Sequence, residues 1–477
     1  MARSGSISGS EQGFDPKGVM RQDLQPVHIP IEPPRRPGRR FESPLILMYG
    51  FGSLIAIGTI LLWLPFFNVQ GEFTPFLDAL FTATSAATVT GLVTLDTATY
   101  WNFSGQLIIA SLIQIGGLGF MSTATFLLII FTQRISLTNQ LFMGDFLGAR
   151  NASGIARLTI QVVALTLIIQ VLAFGIIFWR FIPIYDLQEG AWQAAFLTIS
   201  AFNNAGFNII SNSSSLAIFR DEMWVIGTVT VLIIFGSIGY SVLVESFRRR
   251  RFGRFSLDSK LVILTTMILW VVGTTVMFVS EFNNEATLKG SPVGSQIIDS
   301  FVQSVSGRTA GFSTIDFGET QQHTNFFFTG LMFIGGASGS TAGGIKVNTV
   351  AVILIAVMAT IRGRNQPEVF GREIPFGQIQ RALAVLSLAV VAVFVVAFLL
   401  AITERFPYED LIFETVSAFG TVGLSTGITS ELTSWGRSII IATMFVGRIG
   451  PLTIALALGQ RQQRAVYRYS QERVRIG

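Results

Sequence analysis

The sequence predicts an all-α polytopic membrane protein. We expect four repeats, each a helix, a re-entrant pore helix and a second helix, around a central pore with pseudo-fourfold symmetry. Half of the 477 residues are hydrophobic and 13% are charged, whereas soluble domains average about 25% charged. Apolar runs long enough to cross a bilayer recur along the chain. A short motif running from Phe to Gly also occurs four times.

The four copies of this motif share a Phe, a later Gly and a large apolar residue directly after the Gly. They are FTATSAATVTGLVT (81–94), FLTISAFNNAGFNI (196–209), FVQSVSGRTAGFST (301–314) and FETVSAFGTVGLST (413–426). Three copies carry Ser85, Ser200 or Ser417 at one position, where the third has Val305. A single copy is equally well explained by a Gly turn between ordinary helices, because Gly is frequent in membrane helices. Four copies in register instead favour pore helices that each end in one quarter of an ion-selectivity filter.

The apolar runs divide the chain into repeats with polar ends. The repeats are 44–131, 155–244, 260–360 and 379–458, between a Pro-rich, basic arm at 1–43 and a tail at 459–477. The arm is expected to be disordered because it has little apolar surface to bury. Each helix after a filter, which we call an inner helix, carries Gly-x-x-Gly, a motif that suits close helix packing. These pairs are Gly116/Gly119, Gly236/Gly239, Gly336/Gly339 and Gly447/Gly450. In the second repeat we expect this helix to span from Met223 to Val244.

The distribution of positive charge predicts the orientation. Most of the 33 Lys and Arg lie in five segments, 1–44, 132–158, 245–260, 361–381 and 459–477. Basic loops stay on the cytoplasmic side, so we expect eight spans, both termini in the cytoplasm and pore helices entering from outside. The chain has no Cys and two distant His. We therefore expect no metal or catalytic site, no cofactor bound by this chain, no enzyme activity and no nucleic-acid partner.

The four filter stretches have the chemistry that a dehydrated cation needs. Backbone carbonyls replace its water without adding net charge, Gly permits the required dihedrals, and the helix C-termini add negative potential. The candidate ion-binding residues are Val89, Thr90, Gly91, Asn204, Ala205, Gly206, Thr309, Ala310, Gly311, Thr421, Val422 and Gly423. Only the fourth stretch has the TVG core of potassium-channel filters. We therefore expect one well-defined carbonyl ring and moderate discrimination between potassium and sodium.

The helix after the third filter is interrupted by GGASGSTAGGIK (335–346). Gly is costly inside a helix, and Ser and Thr compete for its hydrogen bonds, so we predict a helix, a mobile polar loop and a helix. Just below the filter, this loop could plug the pore; a tightly packed kink without a gating role is the alternative. A phosphate-binding loop does not fit, because Lys346 is preceded by Ile345 rather than Gly. The candidate gating residues here are Gly336, Ser338, Gly339, Ser340, Thr341, Gly343, Gly344 and Lys346.

Two arginines fall at membrane depth. Arg448 lies in the fourth inner helix, where a charge is a functional hypothesis by default. We expect it below the filter, hydrogen-bonded to the Gly-rich loop and holding that loop closed; a structural Arg paired with a carboxylate is the alternative. Arg308 precedes Gly311 by three residues. We expect it behind the filter, bracing backbone or a carboxylate such as Glu414, while Lys346 caps the loop or reaches the inner face.

Several of these motifs together resemble the Ktr/Trk/HKT superfamily of potassium transporters, and most closely the KtrB-type membrane subunits of bacterial Ktr systems. The motifs are IQIGGLGFM (113–121), SAFNNAGF (200–207), RTAGF (308–312), SGSTAGGIK (338–346), SAFGTVGL (417–424) and MFVGRIGPLT (444–453). The resemblance covers roughly residues 44–460 and assigns the filter to Gly91, Gly206, Gly311 and Gly423. It assigns the gate to 336–346 and Arg448.

The resemblance also implies partners and cargo. It implies potassium uptake stimulated by sodium, a homodimer with one pore per protomer, and a location in the bacterial inner membrane among its lipids. It further implies a cytoplasmic KtrA-type ring of regulator subunits that bind ATP or ADP. A Trk/HKT-like symporter of potassium or sodium is the alternative. An alternating-access transporter is disfavoured because its repeats are often inverted, whereas these repeats run parallel.

Overall fold

A computed structural model describes residues 45–119, 155–210, 215–364, 366–450 and 453. The first repeat comprises α1 (Leu45–Trp63), α2 (Phe76–Thr88) and α3 (Phe103–Leu118). The second comprises α4 (Ile155–Phe181), α5 (Leu187–Asn203), α6 (Met223–Ile238) and α7 (Tyr240–Arg249). The third comprises α8 (Leu257–Glu281), α9 (Val293–Ser306), α10 (Gln322–Phe333) and α11 (Val347–Ile361). The fourth comprises α12 (Phe376–Thr403), α13 (Tyr408–Gly420) and α14 (Ser434–Ile449).

A two-stranded antiparallel hairpin, β1 (Glu368–Val369) and β2 (Arg372–Glu373), connects α11 to α12. The predicted arm at 1–43 and tail at 459–477 lie outside the described residues, as do 120–131 and 454–458 at the ends of two repeats. The remaining helices follow the predicted order of helix, pore helix and helix four times, so the all-α, four-repeat fold is confirmed.

Three helices are long and apolar enough to cross a membrane alone: the described part of α4 from Thr159, α8, and α12. They expose apolar side chains along one face, such as Val171, Val271 and Phe394, each more than half accessible. A face of this kind suits contact with lipid rather than water. The chain is therefore a multi-pass membrane protein.

The second inner helix is bent. The predicted span from Met223 to Val244 contains a break, because α6 ends at Ile238 and α7 leaves at a bend of 98°. The breaking residue is Gly239, whose φ of 93° suits a residue without a Cβ. Gly119 and Gly450 also have positive φ and end α3 and α14. The second Gly therefore ends a helix in three of the four pairs, whereas Gly339 lies within the Gly-rich loop.

Close packing is the role of the first Gly in three of the four pairs. A Cβ on Gly116, Gly236 or Gly447 would collide with a carbonyl oxygen near the end of the pore helix of the same repeat. The carbonyls belong to Ala87, Phe202 and Phe419. The third repeat has Gly307 at the matching pore-helix position, and Gly336 instead meets Ser237 of the second repeat. The third repeat therefore packs differently at the level of the Gly-rich loop.

Hydrophobic packing joins each repeat to the one before it. The apolar residue after each filter Gly lies in a buried cluster that contains side chains of the preceding repeat. The four residues are Leu92, Phe207, Phe312 and Leu424. The Phe that opens the motif joins the same cluster in three repeats, as Phe81, Phe196 and Phe413. In the third repeat Phe301 is 36% exposed, and Val302 packs in its place.

Polar contacts follow the same cyclic order. A residue at the start of each inner helix, or just before it in the second repeat, contacts the pore helix of the next repeat, and the last repeat contacts the first. The four contacts are Trp192 Nε1 to Gln106 Oε1 at 2.7 Å, Arg220 Nε to Asp299 Oδ2 at 2.6 Å, Gln322 Nε2 to Glu409 Oε1 at 2.9 Å and Arg437 Nη1 to Asp78 Oδ1 at 2.7 Å. The repeats therefore form a closed ring with the pore helices inside it.

Candidate pore and gate

The four motif glycines lie at the centre of this ring and contact one another in cyclic order. Their φ angles are 97° at Gly91, 71° at Gly206, 70° at Gly311 and 91° at Gly423. A Cβ built on each would meet the next glycine's Cα, at 3.1, 3.4, 3.0 and 3.0 Å in that order, Gly423 returning to Gly91. Each Cβ would also collide with the carbonyl oxygen of the residue before that next glycine. The structure thus brings the four predicted filter stretches together around one axis.

The turn into the filter has the same backbone in three repeats. Val89, Asn204 and Thr421 end their pore helices in the left-handed region, with φ between 49° and 60°. Such values are rare for residues with a Cβ and persist only where the surroundings impose them. In the third repeat Gly307 ends the helix with φ −65°, and Thr309 is not left-handed. The pseudo-symmetry is therefore broken at the third quarter.

The repeated Ser of the motif fixes this turn in two of the repeats. The Gly91 N–H donates to Ser85 Oγ and the Gly423 N–H to Ser417 Oγ, each at 3.1 Å. Ser200 makes no matching bond, and its hydroxyl has no partner among the described residues. The third repeat has Val305, and there the Gly311 N–H donates to Ser306 O at 3.3 Å. The sequence pattern thus reflects a side chain that positions a filter amide.

One side of the glycine ring opens into a cavity of about 400 Å³. Its wall is formed by all four filter glycines and by residues that follow them in the chain, including 92–97, 207–208 and 425. Asp96 supplies the carboxylate of this wall. The chain that leaves each filter glycine therefore surrounds this cavity, which we call the vestibule. Asp78, in the first turn of the pore helix α2, accepts a hydrogen bond from Thr94 of the vestibule wall at 2.8 Å.

The Gly-rich loop lies on the opposite side, against the residues that precede the filter glycines. A Cβ on Gly343 would overlap Thr421 Oγ1, and one on Gly344 would lie 3.2 Å from Gly420 Cα. Backbone bonds close the base of the loop, from Gly335 N to Ile345 O at 2.9 Å and from Val347 N to Gly336 O at 3.0 Å. The predicted helix, loop and helix are thus present as α10, residues 334–346 and α11.

The loop is seated on the break in the second inner helix. Ala337 N donates to Ser237 O at 2.9 Å, and Thr341 N donates to Gly236 O at 3.1 Å. In return, Tyr240 N donates to Gly339 O at 3.1 Å. The loop thereby uses carbonyls and an amide that the helix break leaves unpaired. Sequence reasoning missed this seat, because all of these bonds join backbone groups.

Three cationic side chains hold carbonyl oxygens of the loop. Arg448 donates from Nη1 to Thr341 O and from Nη2 to Gly116 O, the latter at 2.5 Å. Arg308 Nη2 donates to Gly335 O at 2.8 Å. Lys346 Nζ donates to Ala342 O at 2.5 Å. Two alternatives were expected for each of Arg308 and Lys346. In the structure Arg308 braces backbone rather than a carboxylate, and Lys346 caps the loop.

Glu414 has a different role from the one considered in the sequence. Its Oε1 accepts hydrogen bonds from Ser425 Oγ and, at 2.7 Å, from Thr429 Oγ1. Both donors follow the fourth filter stretch, so this buried carboxylate positions the chain that leaves the filter. It is not the partner of Arg308.

The chain matches the family model of cation transport proteins named TrkH over residues 42–466. It is 40% identical to the Ktr system potassium uptake protein B of Bacillus subtilis, over 89% of this chain and 94% of that protein. It is 37% identical to the potassium/sodium uptake protein NtpJ of Enterococcus hirae, over 93% and 99%.

A solved structure shares the fold. The crystal structure of the potassium transporter TrkH from Vibrio parahaemolyticus matches with a TM-score of 0.69 at 15% identity, over 89% of this chain and 86% of that chain. The four-repeat ring, the family match and the similarity over nearly the whole length agree with one another. The chain therefore belongs to the TrkH family of cation transport proteins.

Proposed function

We propose that this chain is the potassium-translocating subunit of a bacterial Ktr-type uptake system. The main observation behind this proposal is the closed ring of four positive-φ glycines, with the vestibule on one side and the Gly-rich loop on the other. Two relatives that match over most of their length are named as potassium uptake proteins, which supports potassium as the transported ion. Gly91, rather than Ser, stands at the first filter position, which favours potassium over sodium.

In this proposal, potassium enters the vestibule and exchanges its water for backbone carbonyls of residues 89–91, 204–206, 309–311 and 421–423. Carbonyls of this kind bind a cation without trapping it by net charge. The negative ends of four pore-helix dipoles stabilise the ion there. Asp96 adds a negative charge to the entrance.

Loop 336–346 is the gate. It fills the space behind the filter, and Arg448 places a positive charge there that opposes the passage of a cation. Opening requires the loop to leave its seat on residues 236–240 and its bond with Arg448. The loop has no regular structure of its own, and its glycines give it the freedom to take a second conformation. Its bonds to three surrounding elements make the closed form a defined state.

The regulatory arrangement is also a proposal. We assign the chain to a homodimer on a cytoplasmic KtrA-type ring that binds ATP or ADP, in the inner membrane with both termini inside. Several relatives are named as components of a Ktr system, which supports the presence of further subunits. The basic residues at 248–254, 362–364 and 372–381 support placing those segments on the cytoplasmic side.

A Trk/HKT-like symporter of potassium or sodium is the second candidate, and the name of the Enterococcus hirae relative favours it. The two candidates differ in the role of sodium. A symporter moves sodium with potassium in fixed proportion, whereas a sodium-stimulated channel-like subunit takes up potassium without sodium influx. Parallel measurement of both ions in proteoliposomes separates them.

Growth rescue tests the proposed function. The chain is expressed in a bacterium that lacks potassium uptake, at low external potassium, with and without a KtrA-type subunit. We expect rescue that is stronger with the subunit and with added sodium. Absence of growth under every condition, with the protein present in the membrane, would exclude the proposal.

A further inference from the structure

The end of α7 and the turn after it form a strongly basic surface that the transport mechanism does not use. Five arginines lie within seven residues: Arg248, Arg249, Arg250, Arg251 and Arg254. All five are exposed. Arg249 is paired with Glu245 at 3.0 Å. The other four have no carboxylate within salt-bridge distance among the described residues.

Exposed aromatic rings lie among these charges. Phe247 is 62% exposed, and Phe252 and Phe370 are each 45% exposed. Phe252 contacts Phe370 edge to face at 6.2 Å, and Lys260 Nζ lies 5.9 and 5.3 Å from the two ring centres. The turn after α7 and the β1–β2 hairpin are therefore one surface, which we call the basic–aromatic surface.

The hairpin holds Phe370 outward at a conformational cost. Phe370 has φ 53° and Gly371 has φ 69°, the two left-handed positions of a type I′ turn. Asn, Asp or Gly fits the first of these positions, whereas an aromatic residue there is strained. The acidic residues of the hairpin, Glu368 and Glu373, face each other at its open end rather than at its tip. The tip thus leaves Phe370 45% exposed beside Phe252.

The basic–aromatic surface is continuous with the lipid-facing side of a spanning helix. Lys260 lies in the first turn of α8. Over the next two turns, Leu264, Met267 and Ile268 expose apolar side chains. A surface at this level meets lipid headgroups and the upper acyl chains. Arg and Lys attract anionic lipids, and aromatic rings favour the interface. Because the rings and charges adjoin the exposed apolar side chains of α8, the surface favours a lipid occupant.

We propose that the basic–aromatic surface binds the phosphate headgroups of anionic phospholipids, with Arg248, Arg251 and Arg254 as the main ligands and Phe252 and Phe370 inserted among the chains. The choice of cytoplasmic leaflet rests on the proposed orientation, but the binding does not. It also does not require transport, so binding to purified protein separates a failure of this inference from a failure of the proposed function.

Native mass spectrometry of the purified full-length protein tests the inference, with dioleoyl phosphatidylglycerol as the probe and dioleoyl phosphatidylcholine as its neutral counterpart. The R248Q/R251Q/R254Q variant should bind phosphatidylglycerol at least about tenfold more weakly. The K289Q/R381Q/R405Q variant removes three other exposed charges and should bind as the wild type does. Equal loss in both variants would indicate a general charge effect and overturn the proposal.

Phe370→Gly supplies a second variant that is not compromised by misfolding. Gly relieves the strain at φ 53°, which offsets the lost contact with Phe252, so the thermal stability of the protein should change little. Phosphatidylglycerol binding should nevertheless weaken several-fold, because the inserted ring is lost. Unchanged binding in both Phe370→Gly and the triple arginine variant would overturn the proposal and assign the surface to a protein partner.

Discussion

The guanidinium of Arg448 donates a hydrogen bond to the carbonyl oxygen of Thr341, joining the last inner helix to the centre of the Gly-rich loop. Its second bond reaches Gly116 O in the first repeat. One side chain thus connects the fourth, third and first repeats directly behind the filter. In the proposed function, this contact and the seat on residues 236–240 hold the loop in its closed position.

Arg448→Ala should raise potassium flux. A hydrogen bond from a charged group contributes about 1.5–3 kcal/mol, so loss of the bond to Thr341 should shift the gate toward open about tenfold or more. The substitution also removes a positive charge from the ion path. Flux of a potassium analogue into proteoliposomes measures the effect. Reduced flux from protein with unchanged thermal stability would show that Arg448 supports the open pore instead.

Displacement of the loop from the filter should also raise potassium flux. A Cβ on Gly343 would overlap Thr421 Oγ1, so Gly343→Ala should push the loop away and raise flux. Deletion within 338–344 should raise it further. Gly330→Ala is the matched control, since no atom lies within 4 Å of the added carbon. If Gly343→Ala and Gly330→Ala have equal flux, the loop is a packed kink without a gating role.

The Ser residues beneath the filter should affect selectivity unequally. Ser85→Ala and Ser417→Ala each remove the acceptor of a filter Gly N–H, a loss of about 1 kcal/mol. The potassium-to-sodium ratio should fall because the glycine amide is no longer held. Ser200→Ala is the control, because its hydroxyl makes no such bond. An identical ratio in all three variants would show that the bonds do not position the filter.

Closure of the ring should depend on Asp78 and Arg437. Asp78 Oδ1 accepts from Arg437 Nη1 at 2.7 Å and from Thr94 Oγ1 at 2.8 Å. The double-mutant cycle of Asp78→Asn and Arg437→Gln should give a coupling of about 1–3 kcal/mol in thermal stability. The exposed Lys289–Glu285 pair should give less than about 0.5 kcal/mol. Comparable couplings for both pairs would mean that the 78–437 contact does not hold the ring closed.

Sequence patterns predict the repeats because each motif residue has a repeated physical task. The Phe and the residue after Gly pack on the preceding repeat, and Gly adopts a positive φ beside the next filter strand. Ser85 and Ser417 hold a filter amide. Apolar length alone gives most helix positions to within a few residues, as for α4 and α12.

The features that sequence could not predict depend on contacts between distant segments. Hydropathy shows no interruption at Gly239, because residues on both sides of the bend are apolar. The loop's seat on Gly236, Ser237 and Tyr240 is formed by backbone groups, which leave no mark in side-chain patterns. Similarly, nothing in the sequence distinguishes Gly335 O from Glu414 as the partner of Arg308. Cyclic pairs such as Gln106 with Trp192 also use different chemistry in each repeat.

The potassium-to-sodium uptake ratio of Gly311→Ser and Gly423→Ser in proteoliposomes tests the central claim most directly. A side chain at either position would collide with a carbonyl of the neighbouring filter strand, so the ratio should fall several-fold while the protein remains folded. Gly330→Ser, which has open space around its added Cβ, should keep the wild-type ratio. Active uptake with an unchanged ratio in both filter variants would contradict the assignment of the glycine ring as the selectivity filter.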